Sequence, residues 1–163
     1  MRRLIALVFA ALLAAAPFAQ AAVTANSFIT PQTPQGYTPA QIVNGTGTST
    51  YVTILTGETN GSKISSILVT STDTIIHTVS CAIKVSSTSY QLFQVLIPAI
   101  TGDTPSVLPL QLISQGVMPG LPQDSDGQPY LVLASGMIFQ CEVLTTAVTS
   151  PDAITFIPQG ADF

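Results

Sequence analysis

Few residues of this chain could carry acid–base or metal chemistry. Its 163 residues include one histidine, His77, and two cysteines, Cys81 and Cys141. A Ser or Cys nucleophile needs an imidazole base within hydrogen-bond reach. His77 follows two isoleucines in a strand-like run, where an exposed or internally bonded histidine is the ordinary case. One His and two cysteines that pair with each other cannot supply the three or four ligands of a zinc site. The sequence therefore predicts no catalytic residue and no cofactor.

The acidic residues give a second set of candidates. Asp124 and Asp126, followed by Gly127, resemble the centre of a calcium loop, because alternating carboxylates can surround a hard cation. However, Pro122 stands where the first Asp of that loop should be, and Leu133 where its bidentate Glu should be. We interpret the stretch as a polar turn, with the two aspartates as weak metal candidates. Since eight acids offer many pairs, a secreted carboxylate-dependent hydrolase stays open as an alternative function.

The N-terminus has the pattern of an export signal. Met1-Arg2-Arg3 is positively charged, residues 4–16 are an unbroken apolar run, and residues 17–21 end in the small-x-small pattern that signal peptidase cleaves. The alternative is an uncleaved anchor, but the apolar run is shorter than the roughly 20 residues that span a bilayer as a helix. We expect cleavage after Ala21, a secreted, periplasmic or cell-surface location, and no membrane insertion afterwards.

The charge of the mature chain excludes one class of partner. Cleavage removes both arginines and leaves Lys63 and Lys84 against eight acids, a formal charge of −6. Such a chain cannot neutralise a phosphate backbone, so no nucleic-acid partner is expected. Because only 7% of residues are charged, uncharged polar residues must cover the surface. Such surfaces are typical of extracellular β-proteins and of subunits that pack against copies of themselves.

Residues 22–39 read as an extended arm. Pro31, Pro34 and Pro39 remove backbone donors and hold the chain in the β or polyproline region. The arm can lie along a sheet edge or reach toward a neighbour. Its apolar pair, Phe28 and Ile29, is the predicted partner-binding contact.

Residues 40–163 read as one domain of short strands separated by turns rich in Gly, Asn, Ser, Thr and Asp. Eight strand-like runs are present, at residues 41–43, 51–55, 63–69, 75–85, 90–97, 130–133, 137–144 and 154–157. This pattern predicts an all-β fold, a single antiparallel β-sandwich of jelly-roll or immunoglobulin-like type. Near residues 106–115 the sequence permits one short helix or an edge strand, and we favour the helix.

The alternation of apolar residues places both cysteines on inward faces of their strands. Cys81 alternates with Val79 and Ile83, and Cys141 with Phe139 and Val143. Two cysteines in an exported chain favour a structural disulfide. We therefore predict a Cys81–Cys141 bridge across the core.

Several turn-rich stretches resemble small uncharacterised proteins of tailed-phage and prophage structural gene clusters. The stretches are Asn60-Gly61-Ser62-Lys63-Ile64, Thr70-Ser71-Thr72-Asp73, residues 121–131 and Gly160-Ala161-Asp162-Phe163, and the resemblance runs from about Phe28 to the end. It implies a virion surface or decoration-type β-domain with no catalytic residues to carry over. The signal peptide and the cysteines depart from the pattern and suggest an exported version.

Taken with the missing chemistry, these features predict an exported, non-catalytic structural or interaction β-sandwich. It would act through self-assembly, as a homo-oligomer, or by binding a protein of the cell surface or virion. A pilus-like or adhesin subunit, with the arm as donated strand, is the alternative within this class.

Overall fold

Two antiparallel β-sheets pack face to face in the computed structural model, which describes residues 33–163. This part of the chain contains no helix, and therefore none that could cross a membrane. It forms ten strands: β1 (Thr33–Gly36), β2 (Ala40–Val43), β3 (Val52–Thr56), β4 (Ser62–Ser71), β5 (His77–Val85), β6 (Thr88–Ile97), β7 (Leu110–Gln111), β8 (Leu131–Leu133), β9 (Ile138–Val143) and β10 (Ala153–Asp162). The predicted all-β sandwich is confirmed.

The strand order is that of a jelly roll. In sheet A, β10 lies between β4 on one side and both β1 and β2 on the other, and β7 and β8 pair with the far side of β4. Sheet B has the order β3-β9-β5-β6. Thus β2 pairs with β10, β3 with β9, β4 with β8 and β5 with β6. These four nested pairs describe one long hairpin wrapped into two sheets, which distinguishes the jelly roll from the immunoglobulin-like alternative.

Alternating side chains of the two sheets form the core. Val79 and Cys81 of β5, Phe139 of β9, and Ile154 and Phe156 of β10 are fully buried. These residues recur with the period of two that turns every second side chain of a strand to the same face. The pattern that predicted these strands from the sequence is therefore the pattern that fills the space between the sheets.

The last strand is longer than the sequence suggested. The predicted run at residues 154–157 stops before Pro158, whereas β10 continues to Asp162. Pro158 lies where pairing with β2 has ended at Phe156 and pairing with β1 has not begun, which is a position where a missing N–H interrupts no ladder on that side. The next residues form a bulge, and Gly160 permits it because a Cβ there would collide with the Lys63 carbonyl oxygen.

The favoured short helix near residues 106–115 is wrong. Leu110 and Gln111 form β7, which pairs with Val69 and Leu68 of β4. The Gln111 side chain completes this edge, since its Oε1 accepts the Ile67 amide at 2.9 Å and its Nε2 donates to Ser66 Oγ at 2.8 Å. An extended segment can exchange these bonds with β4, whereas a helix would have to hold Pro109 in its interior.

The disulfide is present, but within one sheet rather than across the core. Cys81 of β5 and Cys141 of β9 stand directly opposite each other in sheet B, with their Cα atoms 4.1 Å apart. Both side chains face the core and are fully buried, as predicted. The predicted pairing is thus confirmed, while the predicted crossing from sheet to sheet is wrong because the two strands are neighbours.

The end of the Pro-rich arm belongs to sheet A. β1 pairs with residues 159–162 of β10, and the Tyr37 hydroxyl that follows it donates to Asp162 Oδ1 at 2.6 Å. Ser62 at the start of β4 donates to the same oxygen at 2.8 Å. This part of the arm lies along a sheet edge, one of its two predicted placements, and Asp162 joins three strands.

Tyr37 should make the fold sensitive to alkali. Burial and the hydrogen bond to Asp162 raise the pKa of Tyr37 from 10.0 to about 12, so the folded chain holds the phenol proton more tightly than the unfolded chain. The stability that Tyr37 contributes is then complete below pH 10 and is lost as the pH rises toward 12. We expect the thermal midpoint of the wild type to fall more steeply over this range than that of Tyr37→Phe, and equal slopes would contradict the prediction.

Candidate interaction surface

The single histidine of the chain is buried against an aspartate. The side chains of His77 and Asp73 are both 0% exposed, and His77 Nε2 lies 3.0 Å from Asp73 Oδ2. His77 Nδ1 lies 3.1 Å from the Thr146 carbonyl oxygen. Each ring nitrogen thus lies within hydrogen-bond distance of an oxygen atom.

Asp73 is held by backbone amides from two loops. Its carboxylate accepts hydrogen bonds from the amides of Thr149 at 2.7 Å and Ile75 at 3.1 Å, besides the His77 ring. Burial by itself raises the pKa of Asp73, but the bonds from Thr149, His77 and Ile75 outweigh it and lower that pKa below its usual value. The pair therefore ties the β4–β5 loop to residues 146–149.

The burial of His77 prevents it from acting as a general base on a substrate. A general base must reach a proton of the substrate, and His77 has no exposed surface and no ring nitrogen without a partner. Its role in the structure is to connect loops. Of the two ordinary cases, an exposed and an internally bonded histidine, the structure shows the second.

The two weak metal candidates lie in the turn before β8. Asp124 Oδ1 accepts the amides of Asp126 and Gln128, and its Oδ2 lies 3.5 Å from Lys63 Nζ. The hydrogen bonds from these amides and the charge of Lys63 lower the pKa of Asp124, and they outweigh the opposite effect of desolvation. Asp126 is exposed, and no group of three or more potential metal-ligating side chains occurs among residues 33–163. The carboxylate of Asp124 thus shapes a turn.

The predicted partner-binding pair of the arm, Phe28 and Ile29, lies outside the described residues, as do the export signal and its cleavage site. The described part of the arm begins with β1. Among the predicted site residues that lie within residues 33–163, the two cysteines are bonded to each other, and the Asp126 amide donates to the carboxylate of Asp124.

The most exposed apolar strand of the described chain is β6. It pairs with β5 on one side and forms the end of sheet B, so its other edge has no strand partner among residues 33–163. Tyr90, Leu92 and Leu96 are 58%, 42% and 62% exposed. The ten residues of β6 include no charge and no proline. Natural proteins usually protect long edge strands with such residues.

One face of β6 is anchored and the other is open. Phe93 stacks on Phe139 of β9, with ring centroids 6.4 Å apart, which fixes the strand against the core. Leu96 lies opposite Thr78 on the outer face of sheet B. On the other side of Thr78, the Leu144 amide donates a hydrogen bond to the Thr78 carbonyl oxygen at 2.9 Å. Leu96 and Leu144 are both exposed, so this end of the outer face is apolar.

A groove of about 280 Å³ runs beside β6. Leu92 and Phe93 form one wall, residues 117–122 the other, and Leu131 also contributes. None of its lining residues is charged. Small-molecule sites combine apolar walls with a few well-placed polar groups, whereas this groove continues an apolar edge strand. We treat β6 and this groove as one feature, the β6 edge.

Sequence reasoning found β6 but missed its position. The run at residues 90–97 predicts a strand, and the structure shows it as β6, paired with the preceding strand β5. Which strand ends a sheet depends on long-range pairing that alternation cannot reveal. The available signal was composition, because the segment Thr88–Ile97 is the longest strand without charge, proline or glycine in the described chain.

Comparison with known proteins finds no matching family model, no matching curated protein and no matching solved structure. The jelly roll is therefore identified by its strand order. The function proposed below depends on the exposed β6 edge.

Proposed function

We propose that the protein is an exported, non-catalytic β-sandwich that acts by binding copies of itself or another protein. The β6 edge is the observation that carries this proposal. A long strand with a free backbone edge and exposed apolar side chains offers both the hydrogen-bonding groups and the buried area that strand addition uses. The buried, fully bonded His77 further supports a non-catalytic role.

The alternative of a carboxylate-dependent hydrolase has less support. That activity needs two acids in one cleft, and the groove beside β6 has no acidic residue in its lining. Asp73 and Asp124 accept hydrogen bonds from backbone amides, and Asp162 accepts them from Tyr37 and Ser62. The binding proposal uses a surface that is present, whereas the hydrolase would need a cleft elsewhere.

The compartment and the virion-like role are part of the same proposal. Disulfides persist in oxidising compartments such as the periplasm or the cell exterior. The Cys81–Cys141 disulfide therefore supports an exported location. Jelly-roll sandwiches occur in capsid and lectin domains, and this supports a virion-type or surface-type interaction module. One fold can host many functions. The jelly roll is therefore compatible with this role, and the exposed β6 edge is the feature that favours it.

The test is the mass in solution of the protein purified from cells that express the complete sequence. Mass spectrometry should first show a chain that begins at Ala22. Light scattering after size exclusion should then give a discrete oligomer, or a monomer that adheres to whole cells. A strict monomer that binds no cell-surface component would contradict the proposal.

A test of the arm requires a deletion that leaves sheet A intact. Removing residues 22–39 would also remove β1 and the Tyr37–Asp162 bond. Deletion of residues 22–32 and the variant Phe28→Ser/Ile29→Ser leave both in place. If the arm is the partner-binding contact, both changes should reduce the mass or the adhesion, and an unchanged result would assign binding to the sandwich alone.

A further inference from the structure

We infer that the β6 edge is a self-association surface, on which β6 of a second copy pairs antiparallel to form a continuous eight-stranded sheet. This inference rests on the proposed function and names the partner. It follows from three features of the described chain: the length of the free edge, its lack of charge, and the protection of the other edges.

The first feature is the length of β6. Its ten residues form one end of sheet B, and the edge away from β5 has no strand partner among residues 33–163. Unpaired N–H and C=O groups along an edge are the groups that another strand satisfies. The bulge between Cys81 and Ala82 places Leu92 as an additional residue in β6, and bulges at edges re-aim side chains. Leu92 is one wall of the groove, so the strand and the groove form one surface.

The other edges of the sandwich are short or interrupted. β3, at the opposite end of sheet B, has only five residues. Sheet A ends on one side in β1 and β2, which have four residues each and are separated by three others. On its other side it ends in β7 and β8, which have two and three residues. Short edge strands are a common protection against pairing, and only β6 lacks it.

Charge selects a second copy as the occupant. After the predicted cleavage the chain has a formal charge of −6, with eight acids against Lys63 and Lys84, so most approaches of two copies bring like charges together. The ten residues of β6 contain none. Antiparallel pairing of β6 with itself is two-fold symmetric, so every cross-strand pair joins two residues of the same uncharged segment and brings no like charges together. The exposed side chains of Tyr90, Leu92 and Leu96 would lose part of their exposure to the neighbouring strand.

The test uses matched pairs of added charges. Gln91→Lys/Gln94→Lys places four lysines along the two paired strands of a dimer, because both positions are exposed on β6. Gln128→Lys/Gln159→Lys adds the same charge at exposed positions outside the β6 edge. We expect the first variant to weaken self-association at least about tenfold in sedimentation equilibrium, while the second associates like the wild type.

Hydrogen exchange gives an independent reading on the wild type. If β6 pairs with its copy, the amides of residues 88–97 should exchange more slowly as protein concentration rises, and those of β3 should not. A wild type that associates with unchanged exchange in β6, or whose association survives the lysines on β6, would overturn this inference and leave the proposed function intact. A wild type that neither associates nor binds cells would overturn both. If the deletion of residues 22–32 abolishes association while the lysines on β6 do not, association depends on the arm and the inference of β6 pairing is overturned.

Discussion

Asp73→Ala is expected to lower the free energy of unfolding by about 3–5 kcal/mol, because it removes a buried carboxylate and leaves its buried hydrogen-bond partners unsatisfied. The carboxylate is fully buried and bonds to His77 and to the amides of Ile75 and Thr149. Its removal leaves the His77 ring buried without one acceptor and both amides without theirs. Urea unfolding monitored by circular dichroism measures the loss.

Asp103→Ala is the matched control. Asp103 is exposed, and surface substitutions away from such networks usually change stability by no more than about 0.5 kcal/mol. Equal midpoints for the two variants would show that the Asp73–His77 pair contributes nothing beyond an ordinary surface residue.

The same pair should show a specific response to acid. Because the pKa of Asp73 is lowered in the folded chain, the unfolded chain binds this proton at a higher pH than the folded chain. The contribution is then complete above the unfolded pKa of about 3.9 and disappears as the pH falls through the lower folded pKa. The difference in the free energy of unfolding between the wild type and Asp73→Asn should become smaller over that pH range. A difference that does not change with pH would show that the substitution acts through packing and not through the charge of Asp73.

Reduction of the Cys81–Cys141 disulfide is the second large expected effect. A bridge between residues 60 apart in the sequence restricts the unfolded chain by an entropy equivalent to about 4 kcal/mol in the loop-closure model. The two cysteines join β5 and β9, the central strands of sheet B. Both strands would remain paired in the reduced protein, so we expect the same fold at lower stability.

Urea unfolding with and without reductant measures this contribution. Cys81→Ala/Cys141→Ala is the control, because its stability should not depend on the reductant. Equal midpoints for the oxidised and reduced wild type would contradict the expectation. A lost native spectrum in the reduced protein would show that the bridge is needed for folding as well as stability.

The buried pair illustrates why part of the internal chemistry escapes sequence reasoning. Asp73 lies in a turn-rich stretch and His77 at the start of a strand, and nothing in their spacing shows that both are buried. Their bonding partners, Thr149 and Thr146, are 76 and 69 residues away in the sequence. Only the packing of two loops at one end of the sandwich brings these groups together.

Alternation explains what could be predicted. Val79, Cys81 and Ile83 alternate with smaller or polar residues because the core face of β5 holds the larger apolar side chains, although Ser80 and Ala82 on the opposite face are also buried. That local requirement leaves a trace in the sequence, and all eight predicted strands are present. β1 and β7 leave no such trace: one lies in the Pro-rich arm and the other has two residues. Both form because longer strands offer them an edge.

The sequence by itself determined the all-β class, most of the strands and the identity of the disulfide partners, because these depend on local alternation and on the number of cysteines. Tertiary structure alone decided that the cysteines are neighbours in one sheet, that β10 continues past Pro158, and that β6 ends its sheet. Each of these depends on which strands pair over long distances. Pairing is set by the whole nested hairpin, and no single segment records it.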